Sequence, residues 1–169
     1  PVQYTGVLEE HLATRQAAGL FDVSHMGVWD AKGAGALAFL DAVTTNEVAA
    51  LKPGQSMYSQ FLAPNAHVLD DCYIYMLADE HYLIVVNASN DDKDWMWVNA
   101  VKNGEVMIDI SRPWATAPGR NAMTLRNLRA DSSGPDMRVD IALQGPRSRD
   151  ILLALGANNK SLITKLKRT

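Results

Sequence analysis

The 169-residue chain has one cysteine, Cys72, so it can form no internal disulfide, and no Cys/His spacing resembles a zinc site. No metal is expected, and a reducing compartment fits best. No apolar run approaches the ~20 residues of a membrane span. No signal peptide is recognisable. Neither charge dominates: 16 Lys and Arg against 19 Asp and Glu leave a net charge of −3. That balance gives no electrostatic reason to expect nucleic acid or a membrane surface as partner. The chain also lacks a GxGxxG motif, a P-loop, internal repeats and low-complexity stretches, which argues against a nucleotide-phosphate cradle.

What remains is an ordinary globular composition, 47% apolar and 21% charged. The length suits one domain or a little more. The first residue is Pro1 and the last three are Lys167-Arg168-Thr169, without a cap or a glycine stop. These ends read as those of a piece of a longer protein, the alternative being a processed terminus. Four basic groups and no acid in the last ten residues read as a solvated tail or helix end.

Residues 6–18 carry Leu8, Leu12, Ala13 and Ala17 at helical spacing, with Gly19 as a stop. Phe21 to Ala31 alternates as a strand. Ala36 to Val43 reads as a short apolar helix. After the Pro53-Gly54 turn come strands Ser56 to Leu62, Val68 to Leu77 and Tyr82 to Asn87. Their short links require an antiparallel meander, because a parallel pair needs a long crossover. Asp91 to Val101 reads as a helix with Asp91, Asp92 and Asp94 in its first turn and Asn103-Gly104 as its end. Val106 to Ile110 reads as a strand, 111–137 as a loop-rich insertion with a short strand at Met123 to Leu128, Arg138 to Leu143 as a strand, and Ser148 to Leu155 as a helix. Clustered strands with interspersed helices define an α+β fold on an antiparallel sheet. The expected organisation is 1–110, then the 111–137 insertion, then 138–169 as the next segment of the same domain.

Asp70-Asp71 inside a strand is the strongest oddity, since Asp is depleted in strands and burial of a carboxylate is costly unless it is bonded. Alternation puts Asp71, Tyr73 and Tyr75 on one face and Asp70, Cys72 and Ile74 on the other. Val85 and Asn87 share a face of the next strand, and Tyr58 sits in the hairpin partner. Together they form a polar pocket with aromatic walls, suited to stacking a ring while a carboxylate handles a nitrogen or a proton. The alternative is that the Asp pair closes a turn and Tyr73 is a core aromatic. Ser24 and His25, adjacent in a strand, point to opposite faces and make no nucleophile–base pair. Cys72 lies among apolar neighbours and reads as buried and inert. Trp95 and Trp97 cannot share a helix face, so one is core and the other is at a boundary.

The block Gly19-Leu20-Phe21-Asp22-Val23-Ser24-His25-Met26-Gly27 resembles one from the T-protein (aminomethyltransferase) family of the glycine cleavage system. So do Thr44-Thr45-Asn46, Leu51-Lys52-Pro53-Gly54-Gln55 with Tyr58-Ser59, Val68-Leu69-Asp70-Asp71, Val85-Val86-Asn87-Ala88-Ser89-Asn90 with Lys93-Asp94, and Ala142-Leu143-Gln144-Gly145-Pro146. The order and spacing hold from about residue 3 to 110 and resume near 138. The resemblance implies the N-terminal part of a folate-binding T-protein-like fold, incomplete in this chain. It implies an enzyme that moves the one-carbon unit of an aminomethyl group from the lipoyl arm of H-protein to tetrahydrofolate, releasing ammonia. Asp71 matches the catalytic aspartate, which orients folate and raises the nucleophilicity of the attacking nitrogen. Met26, Tyr58, Tyr75, Val85 and Asn87 match positions lining the folate cavity. A cytoplasmic location, or the mitochondrial matrix in a eukaryote, follows from the same resemblance.

This chain departs from the family in several places. Members have further residues before its start and a long C-terminal half with a glutamate that binds the pterin. The 111–137 stretch is longer than usual, and His67 stands where a glycine is common. Two rival readings share the fold: a folate-dependent demethylase, and a non-catalytic folate-binding protein that supports iron–sulfur cluster assembly. The SHMG, LDD and VNA blocks favour the glycine cleavage role over the first, and Asp71 argues against the second.

Overall fold

The computed structural model describes residues 3–156 and 158–165. Readings that fall on Pro1, Val2 or the tail beyond Lys165 lie outside the described residues. In chain order the elements are α1 (Val7–Gln16), β1 (Gly19–Asp22), β2 (Gly27–Lys32), α2 (Ala36–Val43), β3 (Ser56–Leu62), β4 (Val68–Ala78) and β5 (His81–Val86). Then follow α3 (Asp91–Asn103), β6 (Thr124–Asn127), β7 (Ile141–Gln144), α4 (Ser148–Leu155) and α5 (Lys160–Lys165). Two compact units are present, one of residues 25–139 and one of residues 1–24 with 140–169.

The larger unit is built on a five-stranded sheet, ordered β3-β4-β5-β2-β6, with every neighbouring pair antiparallel. The expected meander is its β3-β4-β5 portion, and the α+β class holds. The inner face of the sheet carries Trp29, Phe61, Cys72, Ile74, Ile84 and Val86, packed with Phe39, Leu40 and Val43 of α2 and Val98 and Val101 of α3. Trp29 anchors this core, stacking on Phe61 at 6.1 Å and meeting Trp95 edge-on at 5.3 Å. Both Trp95 and Trp97 are partly buried against the core, so neither is purely a surface residue. Helix α3 ends as expected: Gly104 adopts φ 75°, and its N–H caps the Ala100 and Val101 carbonyls.

The opposite face of β2 is also covered. Asp30 is buried there, and Arg126 from β6 grips it with two bonds, Nε to Oδ1 at 3.0 Å and Nη2 to Oδ2 at 2.6 Å. Arg126 reaches on to Asp136 at 2.9 Å, tying the 131–136 turn to the sheet. His81 Nε2 lies 3.5 Å from the same Asp30 carboxylate.

In the smaller unit, β1 and β7 form a two-stranded antiparallel ladder accompanied by α1, α4 and α5. The helix expected at 6–18 forms, but none of its apolar stripe is buried among the described residues: Leu8 and Leu12 are exposed.

Three further expectations are corrected. The strand expected from Phe21 to Ala31 is two strands, β1 and β2, separated by a turn at residues 23–26. Asp22 Oδ1 accepts the Ser24 N–H at 2.9 Å, and such a local bond competes with ladder pairing. Ser24 and His25 therefore stand in a turn, with His25 exposed. Val106 to Ile110 joins no sheet; Val106 and Ile108 pack against the core instead, so burial alone accounts for their apolar character. The strand expected at Arg138 to Leu143 is β7, starting three residues later.

Replacing Arg126 by Met removes the bidentate partner of a buried carboxylate. The expected cost is about 3 kcal/mol, read from the midpoint of urea unfolding. A change under ~1 kcal/mol would mean that His81 alone satisfies Asp30.

Candidate functional site

The pleat of β4 sorts its side chains by face. Asp70, Cys72 and Ile74 are buried, Asp71 is half-buried, and Tyr73 and Tyr75 are exposed. Register sets what stands beside them. In β3, Gln60 lies opposite Asp71, Tyr58 opposite Tyr73 and Ser56 opposite Tyr75. In β5, Val85 lies opposite Tyr73. The three tyrosines form a continuous wall. Tyr58 and Tyr73 meet edge-on at 5.9 Å, and Tyr73 and Tyr75 lie 5.9 Å apart with rings tilted by 33°. Met26 lies one position beyond the Gly27–Val86 pair of the β2–β5 ladder, at the Asn87 end of β5. Its carbonyl accepts a 2.8 Å bond from Arg129 Nη1. Register thus brings Tyr58, Asp71, Tyr75, Val85 and Asn87 to one sheet face, with Met26 at its margin.

Asp70 and Asp71 point to opposite faces, yet one side chain holds both. Asn87 Nδ2 donates to Asp71 Oδ1 at 2.8 Å and to Asp70 Oδ1 at 3.1 Å. An amide nitrogen has two hydrogens, so this uses both. Asn90 Nδ2 adds a 3.0 Å bond to Asp70 Oδ1. A bulge sits just upstream: Phe61 pairs with Asp70 and Leu62 with Val68, leaving Leu69 without a β3 partner. Lys93 Nζ takes up the Leu69 carbonyl at 2.6 Å. The start of α3 is thereby fastened to the start of β4.

Gly27 explains part of the close fit. A Cβ there would stand 2.2 Å from Asp91 Oδ1 and 2.5 Å from Val86 Cγ2. Asp91 occupies that space because its Oδ1 accepts the Trp29 indole N–H at 2.9 Å.

The titratable groups divide sharply. Burial works to raise Asp70, but hydrogen bonds from Asn87, Asp94 and Asn90 outweigh it and hold the carboxyl below its usual range. Asp94 is fully buried and is pushed up to about 7, by burial first and then by the facing Asp70 carboxylate, with Lys93 opposing. The Tyr58 hydroxyl is raised by desolvation and by the negative charge of Asp71 beside it, so it stays a proton donor near neutrality. Burial pushes the Cys72 thiol up to about 12, with the Asp71 and Asp70 charges adding to it. Cys72 is the inert core thiol expected. No group of three or more acidic, histidine or cysteine side chains able to hold a metal occurs among the described residues.

A separate cavity of about 250 Å³ lies between the β3–β4 hairpin and α3, lined by Thr44, Leu62, Pro64, Trp97 and Val101 among others. It contains no titratable group, and Asp71 does not line it.

The sequence points to Asn90 only as a helix cap and to Asp94 only as a first-turn acid, and it assigns neither of them, nor Lys93, to the site, although all three fall within the matched blocks. For Asp94 a signal existed. It shares the helical stripe 94-98-101 with two core valines, which is no place for a solvated first-turn acid. Gln60 could be found only from register.

The family model described as GCVT N-terminal domain matches residues 1–164. The chain belongs to this family, as its N-terminal part. Aminomethyltransferase of Symbiobacterium thermophilum is 39% identical over 155 residues, 92% of this chain and 36% of that protein. Aminomethyltransferase of Desulforamulus reducens is 39% identical over 163 residues, 96% of this chain and 38% of that protein. The crystal structure of glycine cleavage system aminomethyltransferase T from Bartonella henselae superposes with a TM-score of 0.70 at 34% identity, covering 89% of this chain and 35% of that one. The chain thus spans little more than a third of the length of these relatives.

The Cys72 environment makes a direct prediction. Iodoacetamide at about pH 8, where an exposed thiol is substantially reactive, should leave the folded protein unmodified by mass spectrometry and alkylate it fully in urea.

Proposed function

We propose that this chain supplies the catalytic carboxylate and part of the folate-binding wall of a tetrahydrofolate-dependent aminomethyltransferase of the glycine cleavage system. The reaction moves the carbon of an aminomethyl group from the lipoyl sulfur of H-protein to tetrahydrofolate, yielding methylene-tetrahydrofolate, ammonia and reduced lipoate. In this reading residues 1–110 and 138–169 belong to one folate-binding domain, with 111–137 an insertion. The carrying observation is Asp71 held by Asn87 at the end of a three-tyrosine wall.

The physical logic is short. A pterin ring is flat, polar at its edge and apolar on its faces. Tyr58 and Tyr75, with Tyr73 between them, offer ring surface, and Val85 offers an aliphatic neighbour. Asn87 bonds to Asp71 through Oδ1, and a carboxylate has further lone pairs with which to accept an N–H at the ring edge. A carboxylate placed there orients the attacking nitrogen and accepts its developing positive charge or its proton. Tyr58, protonated beside Asp71, adds a donor on the same side. Met26 closes the margin. The names of the relatives, aminomethyltransferase and glycine cleavage system aminomethyltransferase T, support this donor over a methylated substrate. A cytoplasmic or mitochondrial-matrix location belongs to the same proposal and rests on the family; separately, no helix among the described residues is long and apolar enough to cross a membrane.

The test is Asp71→Asn in the full-length protein. Turnover with aminomethylated H-protein should fall roughly 10²–10⁴-fold, while calorimetry shows tetrahydrofolate still bound. Folate binding without any response to H-protein would transfer the assignment to demethylation, and loss of folate binding in the wild type would remove it altogether.

A further inference from the structure

Three buried oxygens in the larger unit are left without a donor when every aspartate is ionised: Asp70 Oδ2 and both oxygens of Asp94. Orphaned carboxylate oxygens in a core are costly, and native structures seldom tolerate them. They do not lie in separate places. Asn90, at the N-terminal end of α3, bonds Asp70, and Lys93 beside Asp94 bonds the Leu69 carbonyl beside Asp70, so the two buried carboxyl groups are brought together where α3 meets β4, and each perturbs the other's titration. Two carboxylates in contact cannot both be charged at low cost, and one shared proton turns the repulsion into a bond.

We propose that Asp94 and Asp70 share a single proton, carried by Asp94, and that this pair is the positioning device that holds Asn87, and through Asn87 the carboxylate of Asp71. The proposal rests on the role assigned above to Asp71.

The chain of bonds is continuous. The Asp94 carboxyl O–H donates to Asp70 Oδ2, which satisfies two of the three orphaned oxygens with one hydrogen. Asp70 Oδ1 accepts from Asn87 and Asn90, at 3.1 and 3.0 Å. The second hydrogen of the Asn87 amide then has one place to go, Asp71 Oδ1 at 2.8 Å. The proton also belongs on Asp94 rather than Asp70. Asp70 takes two amide donors on its other oxygen, which stabilises its charge, whereas Asp94 has none and sees Lys93 only at 3.6 Å. Lys93 is otherwise committed to the Leu69 carbonyl.

The surroundings leave little else to neutralise the pair. From β4, Asp70 and Asp71 are negative, and Cys72 is a neutral thiol. From α3 itself, Asp91 is bonded to Trp29, Asp92 is exposed, and Lys93 is the nearby cation. The inner faces of β2 and β5 carry Trp29, Ile84 and Val86, none of them charged. Asp94 is raised to about 7, so its proton is present below that pH and lost as pH rises through it. Above it, two facing carboxylates repel, Asp70 is pushed off its anchor, and the Asn87 clip slackens. Turnover should therefore fall on the alkaline side as Asp94 ionises.

The test compares Asp94→Asn and Asp94→Ala in the full-length protein, with a ¹³C-carboxyl aspartate titration followed by NMR. The wild type should show one carboxyl resonance, absent in Asp94→Asn, that titrates near 7. Asn keeps a donor to Asp70 but cannot ionise, so Asp94→Asn should lose less than about threefold in kcat and lose the alkaline fall. Ala removes the donor, and kcat should drop roughly tenfold or more with the KM for folate little changed, as for a supporting partner of a functional group. An Asp94 carboxyl that titrates in the usual carboxylate range near 4 overturns the proposal, even if Asp94→Ala fails to fold. So does an alkaline fall that persists in Asp94→Asn. If instead Asp71→Asn turns over like wild type while the Asp94 resonance behaves as expected, the shared proton stands and the assigned role of Asp71 falls.

Discussion

One amide holds this part of the molecule together. Asn87 stands just past the end of β5 and spends both hydrogens of its Nδ2 on two neighbouring aspartates that the pleat directs to opposite sides of the sheet. Below the sheet it joins a buried network with Asn90, Asp70 and Asp94. Above it, it aims Asp71 along the tyrosine wall. A carboxylate on a surface strand would otherwise sample several rotamers, and each would place its charge elsewhere. Tying it to a buried anchor converts a half-buried acid into an oriented one.

Much of the surrounding structure supports that arrangement. The bulge at Leu69 turns the entry of β4, and Lys93 stops the freed carbonyl. Asp91 locks the first turn of α3 to Trp29 at the centre of the core, and only a glycine at position 27 leaves room for it. On the other side of β2, the Arg126–Asp30 pair fastens the 131–136 turn to the sheet. The first turn of α3, the start of β4 and the end of β5 are therefore cross-linked to one another by side-chain bonds, which favours a fixed geometry at Asp71.

Several elements were legible from residues alone because the signals were local and agreed. Helix α2, strand β3 and helix α4 form over the residues that spacing assigned them. The meander followed from link lengths, and the sidedness of Asp71, Tyr73 and Tyr75 from the two-residue period of a strand. The failures were also physical. A single Asx bond at Asp22 cut one long apparent strand in two, and the packing of Val106 and Ile108 on the core imitated a strand pattern without a ladder. The stripe on α1 was legible, but in the described residues it faces solvent.

The sequence by itself determined the family, the α+β class and the face on which Asp71 stands, since motif order and side-chain alternation need no third dimension. What only the tertiary structure decided is who holds Asp71 and how. Asp94 reads as a first-turn acid that favours the helix dipole; its place on the 94-98-101 stripe marks it as inward-facing, but nothing along the chain names the partner it meets. Its burial against Asp70 depends on α3 packing over the start of β4, a meeting of residues 24 positions apart. A carboxyl's protonation is set by what surrounds it in space, and only the fold supplies those surroundings.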